Sequence, residues 1–192
     1  MIQTIGLIEI LVFYIAYFLK LFEQKRRGIK TNQLGKGNKS KRTVVIEKLL
    51  SLSSTTIVIV ILINVILDTP LFESPILRGA GLILLGVGTC LFIIAMIIMK
   101  DNWRAGIPEK DKTEMVTSGI YKFSRNPAFL GFDLTYIGAS LSFGNIIVFI
   151  MAVLTIIIIH LQILEEEKFL EVTFGNKYVE YKSKVGRYFL FV

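Results

Sequence analysis

Long apolar stretches alternate with shorter polar segments along this chain, a pattern that predicts a bundle of membrane-spanning helices. Crossing a hydrocarbon core of about 30 Å takes about 20 apolar residues in an α-helix. Five stretches reach or approach that length, with predicted bounds Ile2–Phe22, Leu49–Leu67, Arg78–Met99, Pro127–Phe143 and Ile146–Leu164. The sequence therefore predicts an all-α integral membrane protein with five transmembrane helices, of which the fourth is the shortest.

Polar segments at residues 24–47, 100–126 and 165–192 set the expected orientation of these helices. Eight Lys or Arg and no acidic residue lie between Gln24 and Thr43. Such a run can bind nucleic acid, but its position between two apolar spans favours a cytoplasmic loop that faces anionic lipid. We therefore expect the N-terminus outside, the C-terminus in the cytoplasm and no nucleic-acid partner. All three polar segments then share the cytoplasmic face, where any chemistry would take place.

The composition indicates one compact unit built mostly in lipid, because 53% of the 192 residues are hydrophobic and the mean hydropathy is +0.63. Residues 1–99 are expected to form a three-helix membrane region that contains the basic loop 24–47. Residues 100–192 are expected to form a second region, a helical hairpin followed by an amphipathic cytoplasmic tail. The single cysteine, Cys90, excludes an internal disulfide, and no Cys or His cluster in the sequence suggests a metal.

A short polar stretch, residues 118–131, opens directly into the fourth apolar span. Asn126 is a favourable N-cap, since its side-chain oxygen can accept a hydrogen bond from a free backbone N–H. Pro127 suits the first helical position, so a helix is predicted to begin there. Its N-terminus is a candidate site for a carboxylate or phosphate group. An ordinary capped transmembrane helix is the alternative.

Two carboxylates lie inside predicted spans, where each needs a partner or water. Asp133 follows Asn126 by seven residues, on the same helical face and roughly 10 Å into the helix. It predicts either a water-filled notch or an ion pair with Arg125 or Arg104. Glu9 lies in the first span, and the sequence does not identify its partner.

The end of the fifth span carries a dense group of polar residues. Glu165, Glu166 and Glu167 follow one another, and like charges at a helix end repel unless a cation lies among them. Gln162 and Glu166 are four residues apart, and His160 and Glu167 are seven apart, so two polar faces are predicted on one helix. A solvated helix end and a histidine that anchors the helix at the interface are the alternatives.

Two blocks of residues in the C-terminal half resemble one family of membrane enzymes. The first block has the sequence TSGIY at residues 117–121 and RNPAFLG at residues 125–131. It resembles the TSGxY…RHPxYxG element of the isoprenylcysteine carboxyl methyltransferases, which the related phospholipid methyltransferases share. The second block, residues 166–187, resembles the EE…FGxxYxxY…VxR signature of the same families. The match covers about residues 100–190, and the pair of blocks is far more specific than either alone.

The resemblance implies an integral-membrane methyltransferase that uses S-adenosylmethionine and releases S-adenosylhomocysteine. It implies a cofactor pocket that faces the cytoplasm, formed by cytoplasmic loops and the tail. By position, the family's cofactor contacts correspond to Thr113, Glu114, Met115, Val116, Tyr121, Arg125, Asn126, Pro127, Ala128, Phe129, Glu166 and Glu167. Trp103 and Arg104 are candidates for the acceptor entrance, although Trp103 also suits an interfacial anchor.

The chain departs from the family pattern at four positions. Asn126 replaces a histidine, Phe129 replaces a tyrosine, and Thr113 stands where the carboxyl methyltransferases have another histidine. Gln162 occupies the position of the arginine that should bind a prenylcysteine carboxylate. Because a neutral amide cannot replace a bidentate guanidinium, this difference argues against a prenylcysteine substrate but leaves the reaction class intact.

The acceptor is expected to be amphiphilic and to approach from the bilayer with its head group at the inner surface. A carboxylate acceptor needs no base, whereas an amine or thiol must lose a proton, which makes His160 and Glu167 candidate general bases. Phospholipid head-group N-methylation and small-thiol S-methylation are therefore alternatives. A non-catalytic membrane subunit or transporter is the alternative of a different class. The sequence does not indicate the oligomeric state.

Overall fold

The structure is a computed structural model that describes residues 1–108 and 113–188. Over this part of the chain it is helical, with no β-strand. The helices are α1 (Ile2–Arg26), α2 (Lys41–Leu67), α3 (Pro75–Met99), α4 (Pro127–Phe143), α5 (Ile146–Phe174) and α6 (Asn176–Lys184). Two short 3₁₀ turns, Lys100–Asn102 and Gly119–Lys122, lie in the segment between α3 and α4. The predicted all-α class is confirmed.

Four helices, α1, α2, α3 and α5, are long and apolar enough to cross a membrane. Helix α4 has 17 residues, which at 1.5 Å per residue gives a length of about 26 Å, short of a typical hydrocarbon core. The chain is thus a multi-pass membrane protein by composition and helix length. The role of α4 as a fifth span and the orientation of the bundle stay predictions.

Several helices extend beyond the apolar spans that the sequence predicted. Helix α2 begins eight residues before Leu49, where the Ser40 hydroxyl caps it by accepting a hydrogen bond from the Thr43 backbone N–H. Helix α5 continues ten residues past Leu164. The reason is that Lys and Glu are good helix formers, so a helix need not end where its apolar residues end. As a result, the three consecutive glutamates lie on a helix and not in a loose tail.

Helices α3 and α4 are in close backbone contact along a row of glycines. A Cβ atom on Gly131 would lie 2.8 Å from the Gly88 carbonyl oxygen, and one on Gly88 would lie 2.6 Å from the Gly131 carbonyl oxygen. Gly81 of α3 and Gly138 of α4 make the same kind of contact, two helical turns from the first pair. Small residues permit such close packing, which stabilises helix pairs in membranes. This packing fixes α4, and with it the polar residues at the start of α4.

The basic loop folds back over the segment that follows α3. The Ala105 N–H donates to the Thr31 carbonyl (3.0 Å), and the Gln33 N–H donates to the Ala105 carbonyl (2.8 Å). The prediction of a loop that simply faces lipid is therefore incomplete, because backbone hydrogen bonds attach this loop to the protein.

A buried carboxylate, Glu47, holds the base of this loop. It forms an ion pair with Lys39 at 2.7 Å and accepts hydrogen bonds from the backbone N–H groups of Gly35 and Ile107. We call these four residues the Glu47 cluster. The Lys39 side chain is almost fully buried, so this cation of the basic loop binds Glu47 inside the protein.

Candidate functional site

The two motif blocks meet where α4 begins and the apolar part of α5 ends. Arg125 Nη2 lies 2.8 Å from Glu167 Oε1, and Arg187 Nη2 lies 2.9 Å from Glu167 Oε2. The side chains of Arg125 and Glu167 are only 6% and 5% exposed. We call these three residues the Glu167 cluster. It connects parts of the chain that are more than 40 residues apart in sequence.

The C-terminal segment packs over this meeting point. The Arg125 backbone N–H donates to the Gly186 carbonyl (3.0 Å), and Asn126 Nδ2 donates to the Arg187 carbonyl (3.1 Å). The Tyr181 hydroxyl donates to the Tyr121 carbonyl (2.6 Å). The first motif block is thus covered by the last residues of the second.

Helix α4 begins at Pro127, as predicted, but Asn126 does not cap it with its side chain. The Asn126 amide instead donates to the Arg187 carbonyl. The predicted side-chain cap is therefore wrong, because the Arg187 carbonyl, from a distant part of the chain, binds the Asn126 side chain and the N–H groups of the helix do not. Ser124 supports the corner by accepting a hydrogen bond from the Asn126 backbone N–H.

A second face of α5 carries Gln162 and Glu166, one helical turn apart. Gln162 Nε2 donates to Glu166 Oε1 (3.0 Å), so these two residues lie on one face of α5, as their spacing predicted. Gln162 is fully buried, and its Oε1 atom has no hydrogen-bond partner. Because Glu166 accepts from the amide nitrogen, the amide oxygen points elsewhere. A buried acceptor without a donor is costly, so this atom indicates a place for a ligand N–H or O–H group.

Tyr121 from the first block lies near Glu166. Burial raises the pKa of Tyr121, and the neighbouring Tyr181 and Glu166 raise it further. Glu47 and Lys39 lie close enough to Glu166 for their charges to shift its pKa. Tyr121 and the Glu47 cluster thus lie near Glu166, and the Glu167 cluster begins at the next residue of α5.

The two predicted general bases have different surroundings. Both oxygens of Glu167 accept hydrogen bonds from guanidinium groups, and hydrogen bonding to Glu167 raises the pKa of Arg187. His160 Nδ1 is hydrogen-bonded to the Tyr188 hydroxyl, and the two rings are stacked with centroids 5.9 Å apart. The catalytic roles of His160 and Glu167 stay predictions.

The structure buries or half-buries four other predicted site residues: Pro127, Ala128, Phe129 and Trp103. Pro127 is buried, whereas Ala128 and Phe129 are half-buried and pack against the two apolar cores. Trp103 is buried among the aromatic rings of Tyr17 and Phe92. It is therefore not exposed at the lipid interface.

The remaining predicted residues lie in the segment between α3 and α4. Arg104 donates to the carbonyls of Asp101 and Trp103. The four residues 113–116 belong to no helix or strand, and the Glu114 N–H donates to Asn102 Oδ1 (2.8 Å). Within the described residues, no hydrogen bond joins residues 113–116 to the Glu167 cluster. Their cofactor role stays a prediction.

Asp133 forms no ion pair within the described residues. Arg125 binds Glu167, and Arg104 donates to the backbone carbonyls of Asp101 and Trp103. Both proposed pairings of Asp133 with an arginine are therefore wrong. Arg125 is instead held by Glu167, which accepts hydrogen bonds from both Arg125 and Arg187.

Sequence reasoning assigned no role to Arg187, Tyr188 or Glu47. Arg187 belongs to the second motif block, so the motif itself was a signal for its importance. Glu47 is the first acidic residue after the eight cations of the basic loop. That position was a weak signal for an ion pair inside the loop.

Comparisons with known proteins show the family to which the chain belongs. A model of the phospholipid methyltransferase family matches residues 76–177, just over half of the chain. A protein-S-isoprenylcysteine O-methyltransferase of Rattus norvegicus is 32% identical over 112 residues, which are 57% of this chain and 39% of that protein. The enzyme of the same name from Saccharomyces cerevisiae is 31% identical over 111 residues, 55% of this chain and 46% of that protein. The chain therefore aligns with less than half the length of these relatives.

Proposed function

Because the chain belongs to the phospholipid methyltransferase family, we propose that it is an integral-membrane methyltransferase of the isoprenylcysteine carboxyl methyltransferase type. It transfers a methyl group from S-adenosylmethionine to an amphiphilic acceptor at the inner membrane surface. The observation that carries this proposal is the contact between Arg125 of the first motif block and Glu167 and Arg187 of the second. That contact supports the proposal that both blocks bind one small molecule.

The polar atoms of the site suit this cofactor. S-adenosylmethionine carries hydrogen-bond donors on its ammonium, its ribose hydroxyls and its adenine amino group. Glu166 accepts only one hydrogen bond from the described residues, and Gln162 Oε1 accepts none. In this proposal these two acceptors bind the cofactor's donors. The rings of Tyr121 and Phe129 offer faces for the adenine or the positive sulfonium.

The other residues predicted to bind the cofactor complete the pocket around these acceptors. Asn126 and Pro127 form its floor at the start of α4, and residues 113–116 form one wall. Arg125 and Glu167 act by holding the corner in place. Of the two residues predicted for the acceptor entrance, Trp103 is buried among aromatic rings, so in this proposal the amphiphilic acceptor enters from the bilayer near Arg104.

Bound S-adenosylmethionine supplies a methyl group whose bond to sulfur breaks, with the electron pair going to sulfur, as a bond to the acceptor forms. The protein contributes alignment of the two reactants and exclusion of water. Alignment alone can lower the barrier by about 7–11 kcal/mol. His160 is the candidate base for an acceptor that must lose a proton, because Glu167 is engaged by two arginines.

The proposed topology has five spans, with α4 as a short fourth span, and the active site facing the cytoplasm. Two features support it. The eight cations of the basic loop favour the cytoplasmic side. The hydrogen bond from Thr43 to Glu165 (2.8 Å) joins the start of α2, at the end of the basic loop, to the polar end of α5. The ion pair of Arg125 with Glu167 joins the start of α4 to the same end of α5.

The test is binding of S-adenosylhomocysteine to the purified full chain in detergent, measured by titration calorimetry. We expect binding by the wild-type protein and at least about a tenfold loss in Glu166→Gln, since a hydrogen bond to a charged group is worth about 1.5–3 kcal/mol. Asn126→Ala should also weaken binding. Glu180→Gln, at an exposed residue of α6, is the matched control and should bind normally.

The methyl-transfer reaction is tested separately, with a labelled methyl donor and a panel of prenylcysteines, lipids and thiols. Absence of S-adenosylhomocysteine binding by the folded wild-type protein would contradict the proposal. Equal binding by wild type, Glu166→Gln and Asn126→Ala would remove the assigned site.

A further inference from the structure

A groove between α1 and α3 lies apart from the proposed cofactor site. It runs along the last turns of both helices and has a volume of about 720 Å³. That volume is typical of small-molecule sites, which enclose about 300–1,000 Å³. Its lining residues come from α1, from the residue that follows α1 and from α3, and none of them belongs to the two motif blocks. The groove is therefore a second candidate binding site.

Most of the groove wall is apolar and open to the bilayer. Both α1 and α3 are long and apolar enough to cross a membrane. Leu19, Phe22 and Ile97 are 62%, 60% and 65% exposed, so they face away from the bundle. Lipid tails are as apolar as these side chains and can pack against them. The apolar lining residues are Ala16, Leu19, Phe22, Ile93, Met96 and Ile97.

The charged lining residues of the groove lie toward the C-terminal end of α1. They are three cations, Lys20, Arg26 and Arg27, and one carboxylate, Glu23. Glu23 forms ion pairs with Lys20 (3.3 Å) and with Arg27. Arg27 also binds Asp101, in the 3₁₀ turn after α3, at 3.0 Å. Neighbouring carboxylates thus engage two of the three cations.

Arg26 is the third cation, and within the described part of the chain it forms no ion pair. Its guanidinium lies 5.9 Å from the centre of the Phe22 ring. An aromatic face attracts a cation, but it does not accept the two parallel N–H···O bonds that a phosphate accepts from arginine. Arg26 therefore has donors available for an anion at the charged end of the groove.

The order of apolar and charged residues along the groove defines what it can bind. With three cations and one carboxylate, the lining is positively charged overall. A phosphate group is attracted to such a lining, whereas the ammonium group of a zwitterionic lipid is repelled by it. A free phosphate would leave the apolar wall uncovered, but an acyl chain covers it. An amphiphile with an acyl chain and an anionic head group fits both parts.

We propose that the groove between α1 and α3 binds an anionic phospholipid of the surrounding bilayer. Its phosphate binds Arg26, and one acyl chain lies along Leu19 and Ile97. The lipid acts as a structural ligand that holds the ends of α1 and α3 together. This site is separate from the proposed cofactor pocket, so it does not depend on the proposed methyl transfer.

The protein already connects these helix ends next to the groove. Gln24 Nε2 donates to the carbonyls of Lys100 (3.3 Å) and Trp103 (3.1 Å), which follow α3. The side chain of Gln24 is buried one residue after Glu23 of the groove. A lipid bound to Arg26 therefore adds a second connection beside this one, and it should stabilise the folded protein by binding only the folded state.

The test is lipid binding by the purified full chain in detergent, measured by native mass spectrometry. Three probes are titrated: dioleoylphosphatidylglycerol, dioleoylphosphatidylcholine and glycerol phosphate. We expect the anionic lipid to bind roughly tenfold more tightly than the zwitterionic one, because each basic residue near an anionic lipid contributes about 1 kcal/mol. Glycerol phosphate has the head-group phosphate without the tails, and it should not bind measurably. Thermal unfolding should shift upward with the anionic lipid alone.

Arg26→Gln should weaken binding of the anionic lipid about fivefold. The variant should fold, since Arg26 is exposed and forms no ion pair within the described residues. Arg26→Lys keeps the charge and should retain most of the affinity. Lys30→Gln is the matched control, because it removes one exposed cation of the basic loop that does not line the groove, and it should bind as the wild type does.

Three results would overturn this lipid site. Equal losses in Arg26→Gln and Lys30→Gln would show a general effect of surface charge. Equal affinity for the two lipids would show that the cations do not select the head group. A dimer in the mass spectrum that Arg26→Gln dissociates, with no lipid bound, would assign the groove to a second copy of the chain.

Discussion

Glu166 and Glu167 are neighbours in sequence, yet they belong to two different regions of the structure. Glu167 faces the C-terminal segment, where Arg125 and Arg187 donate to both of its oxygens. Glu166 faces Tyr121 and the Glu47 cluster and accepts one hydrogen bond, from Gln162, among the described residues. One carboxylate is saturated by the protein, and the other still has capacity to accept.

The difference separates a positioning role from a binding role. A carboxylate that holds two guanidinium groups fixes the elements that carry them, and a third partner would have to displace one of them. A carboxylate with a single amide partner can accept from a ligand without breaking the fold. We therefore expect Glu167 to determine whether the site forms and Glu166 to determine what it binds.

The largest expected effect is the loss of stability in Glu167→Ala. Removing one partner of a buried ion pair leaves Arg125 charged and unpaired, at a cost of roughly 3–5 kcal/mol. Thermal unfolding of the purified protein in detergent measures the effect. Glu166→Ala is the matched control, because it removes the neighbouring carboxylate without leaving a cation unpaired. Equal destabilisation by the two substitutions would contradict the assigned division of roles.

Gly131→Ala tests the scaffold on which both glutamate sites depend. A new Cβ atom 2.8 Å from the Gly88 carbonyl oxygen would force α3 and α4 apart, and overpacking of this kind costs roughly 1–3 kcal/mol. S-adenosylhomocysteine affinity should fall with stability, since Asn126 moves with α4. Gly79→Ala, in the same helix pair but facing open space, should be tolerated. If Gly131→Ala leaves both properties intact, the close contact does not position the site.

Tyr181→Phe gives the smallest of these effects. It removes the hydrogen bond from the Tyr181 hydroxyl to the Tyr121 carbonyl, and the loss of one such bond costs about 0.5–1.5 kcal/mol. Unfolding in detergent should shift slightly, while S-adenosylhomocysteine binding persists. Lys184→Ala breaks an exposed ion pair with Glu180 and should change neither measurement. Loss of ligand binding in Tyr181→Phe would assign the C-terminal segment a direct role in the pocket.

The amino-acid sequence determined the helical class and several helix bounds. Apolar stretches long enough to cross a bilayer must form helices, because no other open structure satisfies the backbone in lipid. The start of α4 at Pro127 followed from the Asn-Pro pair, and the pairing of Gln162 with Glu166 followed from their spacing on a helix. The extension of α5 past Leu164 did not follow from hydropathy, since polar helix formers continue a helix without an apolar signal.

Only the tertiary structure decided which charged groups bind one another. The sequence analysis offered Arg125 as a partner for Asp133 and Asn126 as a helix cap, and it named no partner for Glu167. Such choices depend on where segments far apart in the chain come together, which local pattern does not encode. Because the C-terminal segment packs over the start of α4, Arg125 binds Glu167, and Asp133 has no ion pair within the described part of the chain.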